Sequence, residues 1–281
     1  MKRASERNPC PICHKPDWCS VTDNGEVAFC MRIQSNMPCK NGASMHFLKD
    51  QDRSSVPQRR APLPIPVKNI AFDAARYHGS IRKEWDSIWC DGTAVSLGVD
   101  MEALERLQPG WDAFNKAVGF PMRDSDGNVI GIRLRNFIGK KWAVSGSKDG
   151  LFFDPALELG EERELVICEG PTDTAAAYTL GIPAVGRSSC GTGLELLKAL
   201  CARLKVRLVT IVADADEPKE RPDGSTWRPG IEGAILLGSR LGRFHRVVVP
   251  PKKDLREWVG FGCSRKEWEN WISTAQRRLP A

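Results

Sequence analysis

Short apolar runs alternate with segments of helical periodicity over the second half of the chain. The runs at 165–168, 183–186, 207–213 and 246–249 are predicted strands, and the segments at about 171–180, 193–204 and 230–241 are predicted helices. Strands that alternate with helices form right-handed βαβ crossovers, which give a parallel sheet covered on both faces. The pattern therefore predicts an α/β domain in this half.

The first half of the chain has a different pattern. From about 70 to 108 the apolar positions are helical, with Leu97, Met101 and Leu104 at spacings of three to four and Asp100 as a candidate N-cap. Residues 117–153 carry strand and turn signals, with a hairpin turn at Ser125-Asp126-Gly127. Five segments follow: a module at 1–50, a stiff proline-rich basic linker at 51–68, an α+β lobe at 69–160, the βαβ lobe at 161–258 and a helical tail at 259–281.

Charge is unevenly distributed along the 281 residues. The whole chain has a formal net charge of +6, from 41 basic and 35 acidic side chains. Residues 1–68 contain 11 basic and 6 acidic side chains, so this first quarter carries most of the excess. We therefore expect a polyanionic partner to meet the N-terminal end first.

The apolar pattern argues against two classes of protein, those that span a membrane and those that are secreted. The chain has no run of 18 apolar residues, so we expect no membrane span. The first six residues, Met-Lys-Arg-Ala-Ser-Glu, do not begin an apolar signal segment, so a cytoplasmic location is expected.

Half of the ten cysteines lie between positions 10 and 39, which favours a metal site over a disulfide scaffold. Cys10 and Cys13 form a C-x2-C pair, while Cys19 and Cys30 are equidistant from an Asn-Gly turn and therefore share one face of a hairpin. Four thiolates suit a closed tetrahedral Zn²⁺ site. The spacing is not the commonest one for zinc ribbons, so Cys39, His14 and His46 remain alternatives for one ligand, and free buried thiols remain the simpler reading.

Acidic residues follow two of the predicted parallel strands. Glu169 comes directly after the first strand, with Asp173 in the turn of helix that follows, and Asp214 and Asp216 come after a later strand. Open α/β sheets place their sites at the carboxyl ends of strands. Three carboxylates at that edge predict a site for a hard cation such as Mg²⁺, whose usual partners are phosphates.

A basic strip precedes this region. In the predicted strand 129–135, Arg133 and Arg135 share one face. Lys140, Lys141 and Lys148 follow, and no acidic residue occurs between 133 and 148. Such a strip suits phosphate binding, although a solvated hairpin has the same pattern.

Together these motifs resemble a known family. The Glu-Gly-x-x-Asp motif at 169–173 and the Asp-x-Asp motif at 214–216 are similar to the Toprim domain of topoisomerases and primases. The cysteine module in front narrows the resemblance to DnaG-type and phage-type primases. The segments 120–135, 141–147, 150–153 and 253–258 resemble primase motifs in the same order, so the resemblance spans about residues 8–258.

The resemblance implies a DNA-directed RNA polymerase that makes short RNA primers on single-stranded DNA from NTPs. Glu169, Asp214 and Asp216 would hold Mg²⁺ or Mn²⁺, supported by Asp173, and Lys141 would complete the catalytic set by holding the template or the triphosphate. The residues implied to bind template or nucleotide are Arg133, Arg135, Lys140, Lys148, Arg187 and Ser188. A structural Zn²⁺ would be held by Cys10, Cys13, Cys19 and Cys30. The implied source is a phage or other mobile element, with a separate replicative helicase as partner.

The sequence departs from the primase pattern in one segment. Thirteen residues, 217–229, separate Asp216 from Gly230 where the family has a short turn, and we predict a mobile polar loop there.

A type IA topoisomerase would need a catalytic tyrosine in a separate domain, and a Toprim nuclease with an ATPase module would need a phosphate-binding loop, which the sequence lacks. A recombination-mediator-like protein and a catalytically degenerate DNA-binding protein stay open.

Overall fold

The computed structural model describes residues 1–35, 37–39, 42–48, 72–189, 192–221 and 224–275. The chain divides into two compact units, Met1–Lys68 and Asn69–Ala281. The predicted linker at 51–68 lies outside the described residues, as does the end of the predicted tail at 276–281.

The N-terminal unit is a small antiparallel sheet. Its strands, in the order β1-β2-β3-β4, are β1 (Lys2–Arg3), β2 (Ser20–Val21), β3 (Val27–Cys30) and β4 (Ser44–Phe47). Ser20 lies opposite Phe29 and Val21 opposite Ala28, so β2 and β3 form the predicted hairpin. Gly25 has a φ of 71° at its turn, a conformation that glycine adopts without steric cost. The prediction of a small N-terminal β module is confirmed.

The second unit begins with three helices, α1 (Ala74–Lys83), α2 (Ser87–Leu97) and α3 (Met101–Glu105). The side chains of Asp73 and Asp86 accept hydrogen bonds from backbone N–H groups in the first turns of α1 and α2. Gly98 ends α2 in the left-handed conformation. Asp100 does occupy the N-cap of α3, but its side chain makes no capping hydrogen bond.

One nine-stranded sheet organises the rest of the unit. Its strands are β5 (Gly110–Asp112), β6 (Ala117–Arg123), β7 (Val129–Arg135), β8 (Lys141–Ala143), β9 (Leu151–Phe152), β10 (Glu164–Cys168), β11 (Ala184–Arg187), β12 (Leu208–Val212) and β15 (Phe244–Val248). The order is β15-β12-β10-β11-β9-β6-β7-β8, with β5 paired to β6. The strands β15, β12, β10 and β11 are parallel, and the others are antiparallel. The predicted α/β class and parallel βαβ units are confirmed.

The remaining helices cover this sheet. They are α4 (Pro171–Thr179), α5 (Leu194–Arg203), α6 (Pro229–Arg240), α7 (Leu255–Gly260) and α8 (Arg265–Ser273). One buried cluster joins α2, α3, α4, α7 and α8 to the sheet, and a second joins α5 and α6 to it. None of the helices in the described part of the chain has both the length and the apolar character needed to traverse a bilayer.

The long insert after Asp216 differs from the predicted loop. It contains a two-stranded hairpin, β13 (Lys219–Glu220) and β14 (Thr226–Trp227). Gly224 supplies a left-handed turn with a φ of 80°, and the Arg221 guanidinium forms a 2.6 Å ion pair with Glu232 on α6. The hairpin is thus attached to the helix that follows it, because its polar side chains find partners on that helix.

Candidate functional site

The acidic residues lie at the carboxyl ends of adjacent parallel strands. In β10 and β12, Ile167 lies opposite Ile211, so Glu169 and Asp214 follow the two strands at neighbouring positions. Burial and, to a smaller extent, the nearby charges of Asp173 and Glu169 raise the pKa of Asp214 to about 9. A cation bound between Glu169 and Asp214 would therefore stabilise the ionised form of both carboxyl groups.

A second carboxyl pair lies beside the first. Asp173 is buried in the first turn of α4, and its carboxylate accepts a 3.1 Å hydrogen bond from the backbone N–H of Arg256. Burial and the neighbouring charge of Asp254 raise the pKa of Asp173 to about 6. Asp254 caps α7 by accepting a hydrogen bond from the N–H of Glu257. The negative charges of Asp173, Glu169 and Asp254 thus all raise the pKa of Asp214.

Two glycines permit this close packing. A Cβ on Gly230, at the start of α6, would lie 2.7 Å from the carbonyl oxygen of Asp214. A Cβ on Gly186 in β11 would lie 2.4 Å from Oγ1 of Thr174 and 2.7 Å from the oxygen of Gly170. The starts of α6 and α4 therefore approach the strand ends only because these positions have no side chain.

The basic residues come from the antiparallel half of the same sheet. Arg135 on β7 lies directly opposite Lys141 on β8, and Arg133 lies opposite Phe120 on β6. Opposite residues in an antiparallel pair share a face, so the two arginines and Lys141 point to one side. Arg187 joins them from the end of β11 and is only 2% exposed. Burial and the positive charge of Arg256 lower the pKa of Arg135.

These groups line a cleft of about 340 Å³. Its lining includes charged side chains from both sets: Arg133, Arg135, Lys141, Arg187, Lys219, Glu169 and Asp216. Ser188, Ser189 and Phe120 complete the wall, and the start of α6 at Pro229 and Gly230 closes one side. The cleft therefore places anion-binding and cation-binding groups side by side.

The structure does not bring every predicted site residue into this cleft. Asp214 and Asp173 are not among its lining residues, although their charges act on one another and on Glu169. Lys140 and Lys148 are exposed and lie outside the lining, and the Lys140 ammonium lies 5.7 Å from the ring of Trp142. Glu169, Asp214 and Asp216 do not converge as closely as the sequence predicts, since the cysteine quartet is the one described group of possible ligands within 4.8 Å of one another.

The acidic residues nevertheless fit a divalent cation. Oxygen ligands from carboxylates are what Mg²⁺ and Mn²⁺ prefer. The charges of Asp173 and Glu169 raise the pKa of Asp214, because like-charged neighbours disfavour ionisation unless a cation offsets them. Glu169 and Asp214, with Asp216 in the adjoining cleft, are the ones that would hold the ion.

The structure brings the cysteine quartet together in the N-terminal unit. The Sγ atoms of Cys10, Cys13, Cys19 and Cys30 all lie within 4.8 Å of one another. Three of the four are almost fully buried, and Cys13 is partly exposed. This donor set and its burial match a structural zinc site.

Backbone N–H groups orient the sulfur atoms of the quartet. The N–H groups of Arg32 and Ile33 point at Sγ of Cys30, at 3.4 and 3.3 Å, and that of Met31 points at Sγ of Cys19, at 3.5 Å. A backbone hydrogen bond at Lys15 contributes most to lowering the pKa of Cys13 to about 6. Donors of this kind stabilise thiolates, which are the form that binds metal.

The alternative ligands left open by the sequence do not join the quartet. His46 has its Nε2 at 3.0 Å from the carbonyl oxygen of Ile33, and Cys39 and His14 are outside the cluster. Asp254 and Arg256 are site neighbours that the sequence reasoning missed. Both lie in the segment 253–258, whose resemblance to a primase motif was the usable signal, and Asp254 comes six residues after the end of β15.

Solved structures with the same fold are primases. The chain is similar to the *Aquifex aeolicus* primase (zinc-binding and RNA polymerase domains), with a TM-score of 0.57 and 17% identity over 72% of this chain and 60% of that one. It is also similar to a DnaG primase catalytic domain bound to single-stranded DNA, with a TM-score of 0.54 and 16% identity over 73% and 78%. The E. coli primase catalytic core matches with a TM-score of 0.54 and 16% identity over 73% and 79%.

No protein-family model and no curated protein matches the sequence. The similarity to the solved structures is one of fold, since the identities are 16–17%. The chain therefore shares the fold of the DnaG-type primase catalytic core.

Proposed function

We propose that the protein is a DNA primase that synthesises short RNA primers from NTPs on single-stranded DNA. The observation that carries the proposal is the cleft, in which Glu169 and Asp216 face Arg133, Arg135 and Lys141. Nucleotidyl transfer needs both kinds of group, because a polyanionic substrate must be held while a cation offsets developing charge. The Toprim motifs of the sequence and the primase fold support the same assignment.

The role that we propose for each residue of the cleft follows from its charge. Mg²⁺ or Mn²⁺, when bound, stabilises charge on the attacking and leaving oxygens of the nucleotidyl transfer. Glu169, Asp214 and Asp216 would hold the ion, and Glu169 would accept the proton of an attacking hydroxyl. Asp173 supports Asp214 from beneath the cleft, where burial raises the pKa of both carboxyl groups.

The cationic side chains bind phosphate groups. Arg133, Arg135 and Lys141 form one row across two strands, which suits an extended phosphate chain of the template or an NTP. Arg187 and Ser188, at the end of β11, line the same cleft and would contact the nucleotide. Lys140 and Lys148 lie on the exposed rim beyond the cleft and extend the positive surface for the template.

The N-terminal unit and the partners belong to the same proposal. The zinc-bound module selects the start site on the template, and we propose a separate replicative helicase that supplies single-stranded DNA. A phage or mobile element is the proposed source, and the cytoplasm is the proposed location.

An inactive DNA-binding relative, or a recombination-mediator-like protein, would use the same surfaces without consuming NTPs. The test is incorporation of radiolabelled NTPs on a panel of single-stranded templates with Mg²⁺. Primer-length products that depend on Asp214 and Asp216 support the primase. DNA binding without any NTP incorporation identifies the inactive alternative.

A further inference from the structure

Three aromatic rings form a cluster on the sheet next to the cleft. The indole rings of Trp89 on α2 and Trp111 on β5 are stacked, with centroids 3.7 Å apart and an interplanar angle of 13°. Phe137, in the turn between β7 and β8, lies 6.4 Å from Trp89 and 6.0 Å from Trp111. We call these three residues the aromatic platform. Phe137 is 53% exposed, and both tryptophans are half-buried, so the platform reaches the surface.

The strand register aligns the platform with the basic row of the cleft. Trp111 lies opposite Val118, Val118 opposite Arg135, and Arg135 opposite Lys141. Residues in such a line across antiparallel strands share one face of the sheet. An indole ring and two cationic side chains therefore lie along one line; Trp111 and Arg135 are about two strand spacings apart, with Val118 between them, and Lys141 is about one spacing beyond Arg135.

A small recess joins the platform to the cleft. It has a volume of about 20 Å³ and is lined by Phe137 on one side and by Phe120 and Arg135 on the other. Thr93 also lines it, and the Thr93 hydroxyl is buried without a hydrogen-bond partner among the described residues. The volume admits one water-sized polar atom, such as an exocyclic oxygen of a base. An orphaned buried hydroxyl at this place favours a polar ligand over a purely apolar one.

We propose that the aromatic platform is a base-stacking site for single-stranded DNA adjoining the cleft. A single strand presents flat apolar bases and charged phosphates in alternation, and the face described here offers rings beside guanidinium and ammonium groups. A protein partner that docked on apolar contacts alone would leave the line of Arg135 and Lys141 unused. The inference rests on the proposed function in that it takes the cleft as the destination of the template strand.

Binding of fluorescein-labelled single-stranded dT20 to the full-length, zinc-loaded protein tests the proposal by fluorescence anisotropy. We expect Phe137→Ala and Phe137→Leu to weaken binding about 5- to 100-fold, since both remove the stacking ring. Phe137→Tyr keeps the ring and should bind within about twofold of wild type. Phe137 lies at a hairpin tip, so the thermal midpoint should be unchanged.

Phe244→Ala is the matched control. Phe244 is similarly exposed, at 51%, but it begins β15 at the opposite edge of the parallel strands, so its loss should leave binding unchanged. The salt dependence separates stacking from phosphate contacts. Phe137→Ala should keep the wild-type slope of log K against log salt, whereas Arg135→Gln should reduce the slope by about 0.7.

A second probe tests the platform without relying on a variant. Wild-type protein should bind an abasic oligomer of equal length about as weakly as Phe137→Ala binds dT20. Equal wild-type affinity for the abasic and dT20 probes would overturn the proposal, as would wild-type binding by both Phe137→Ala and Phe137→Leu. NTP incorporation is measured in parallel, so a lack of primer synthesis rejects the proposed function without changing the result for the platform.

Discussion

Glu169 and Asp214 follow two adjacent parallel strands at neighbouring positions, and the negative charge of Glu169 helps to raise the pKa of the Asp214 carboxyl group. Two acidic groups placed in this way favour a proton or a cation beside them. Burial raises the pKa of Asp214 to about 9, so at neutral pH this pair holds a proton that a divalent ion displaces. The site is therefore one whose stability and metal binding both depend on pH.

The first prediction concerns this proton. The folded protein keeps the Asp214 proton up to a pH of about 9, whereas an unfolded aspartate releases it near the ordinary value of 3.8. Stability should therefore fall as pH rises between these two values, by up to about 1.4 kcal/mol per pH unit. Thermal midpoints measured without Mg²⁺ from pH 5.5 to 8.5 should decline, and added Mg²⁺ should raise the midpoint most at the alkaline end.

Asp214→Asn is the control for that measurement, because the amide has no proton to lose. Its thermal midpoint should vary less with pH over the same window, leaving the smaller contribution of Asp173, whose pKa is raised to about 6. Identical pH profiles for the variant and the wild type would show that Asp214 is not the titrating group.

The second prediction distinguishes the zinc ligands from their neighbour in sequence. Cys19→Ser should lose the bound zinc, since Cys19 belongs to the quartet and is 1% exposed. Cys39→Ser should keep one zinc per chain because Cys39 lies outside the quartet. Metal content by mass spectrometry of the purified variants decides the matter, and zinc loss from Cys39→Ser would contradict the assigned quartet.

The third prediction concerns Gly230. A methyl group at this position would lie 2.7 Å from the carbonyl oxygen of Asp214, and neither group belongs to a flexible side chain. Gly230→Ala should therefore shift the start of α6, lower the stability by about 1–3 kcal/mol and reduce primer synthesis. Gly160→Ala is the matched control, since a Cβ there meets no atom within 4 Å. Chemical denaturation of both variants measures the difference, and equal stabilities would refute this packing argument.

Local patterns in the sequence predict much of this structure. The spacing around Asn24-Gly25 predicts that Cys19 and Cys30 face each other, and the observed register agrees. The apolar runs predict the parallel strands to within about two residues, and that is enough to place Glu169 and Asp214 at one edge of the sheet. These features follow from short-range periodicity and from the rule that parallel strands end together.

Features that depend on long-range contacts were not predictable in this way. The two predicted lobes share one sheet because β9, only two residues long, pairs with both β11 and β6. The stacking of Trp89 on Trp111 joins a helix to a strand that is separated from it in sequence, so no periodicity reveals it. The strands β13 and β14 lie beside α6, where Arg221 forms an ion pair with Glu232. Chain topology, rather than local propensity, determines each of these contacts.

Primer synthesis by acidic-site variants tests the central claim most directly. Radiolabelled NTP incorporation on single-stranded templates is compared for the wild type, for Asp214→Asn combined with Asp216→Asn, and for Glu161→Gln, which removes an exposed acid distant from the cleft lining. We predict that the double variant loses at least about 100-fold in rate while keeping DNA binding, and that Glu161→Gln matches the wild type. Undiminished synthesis by the double variant would contradict the account.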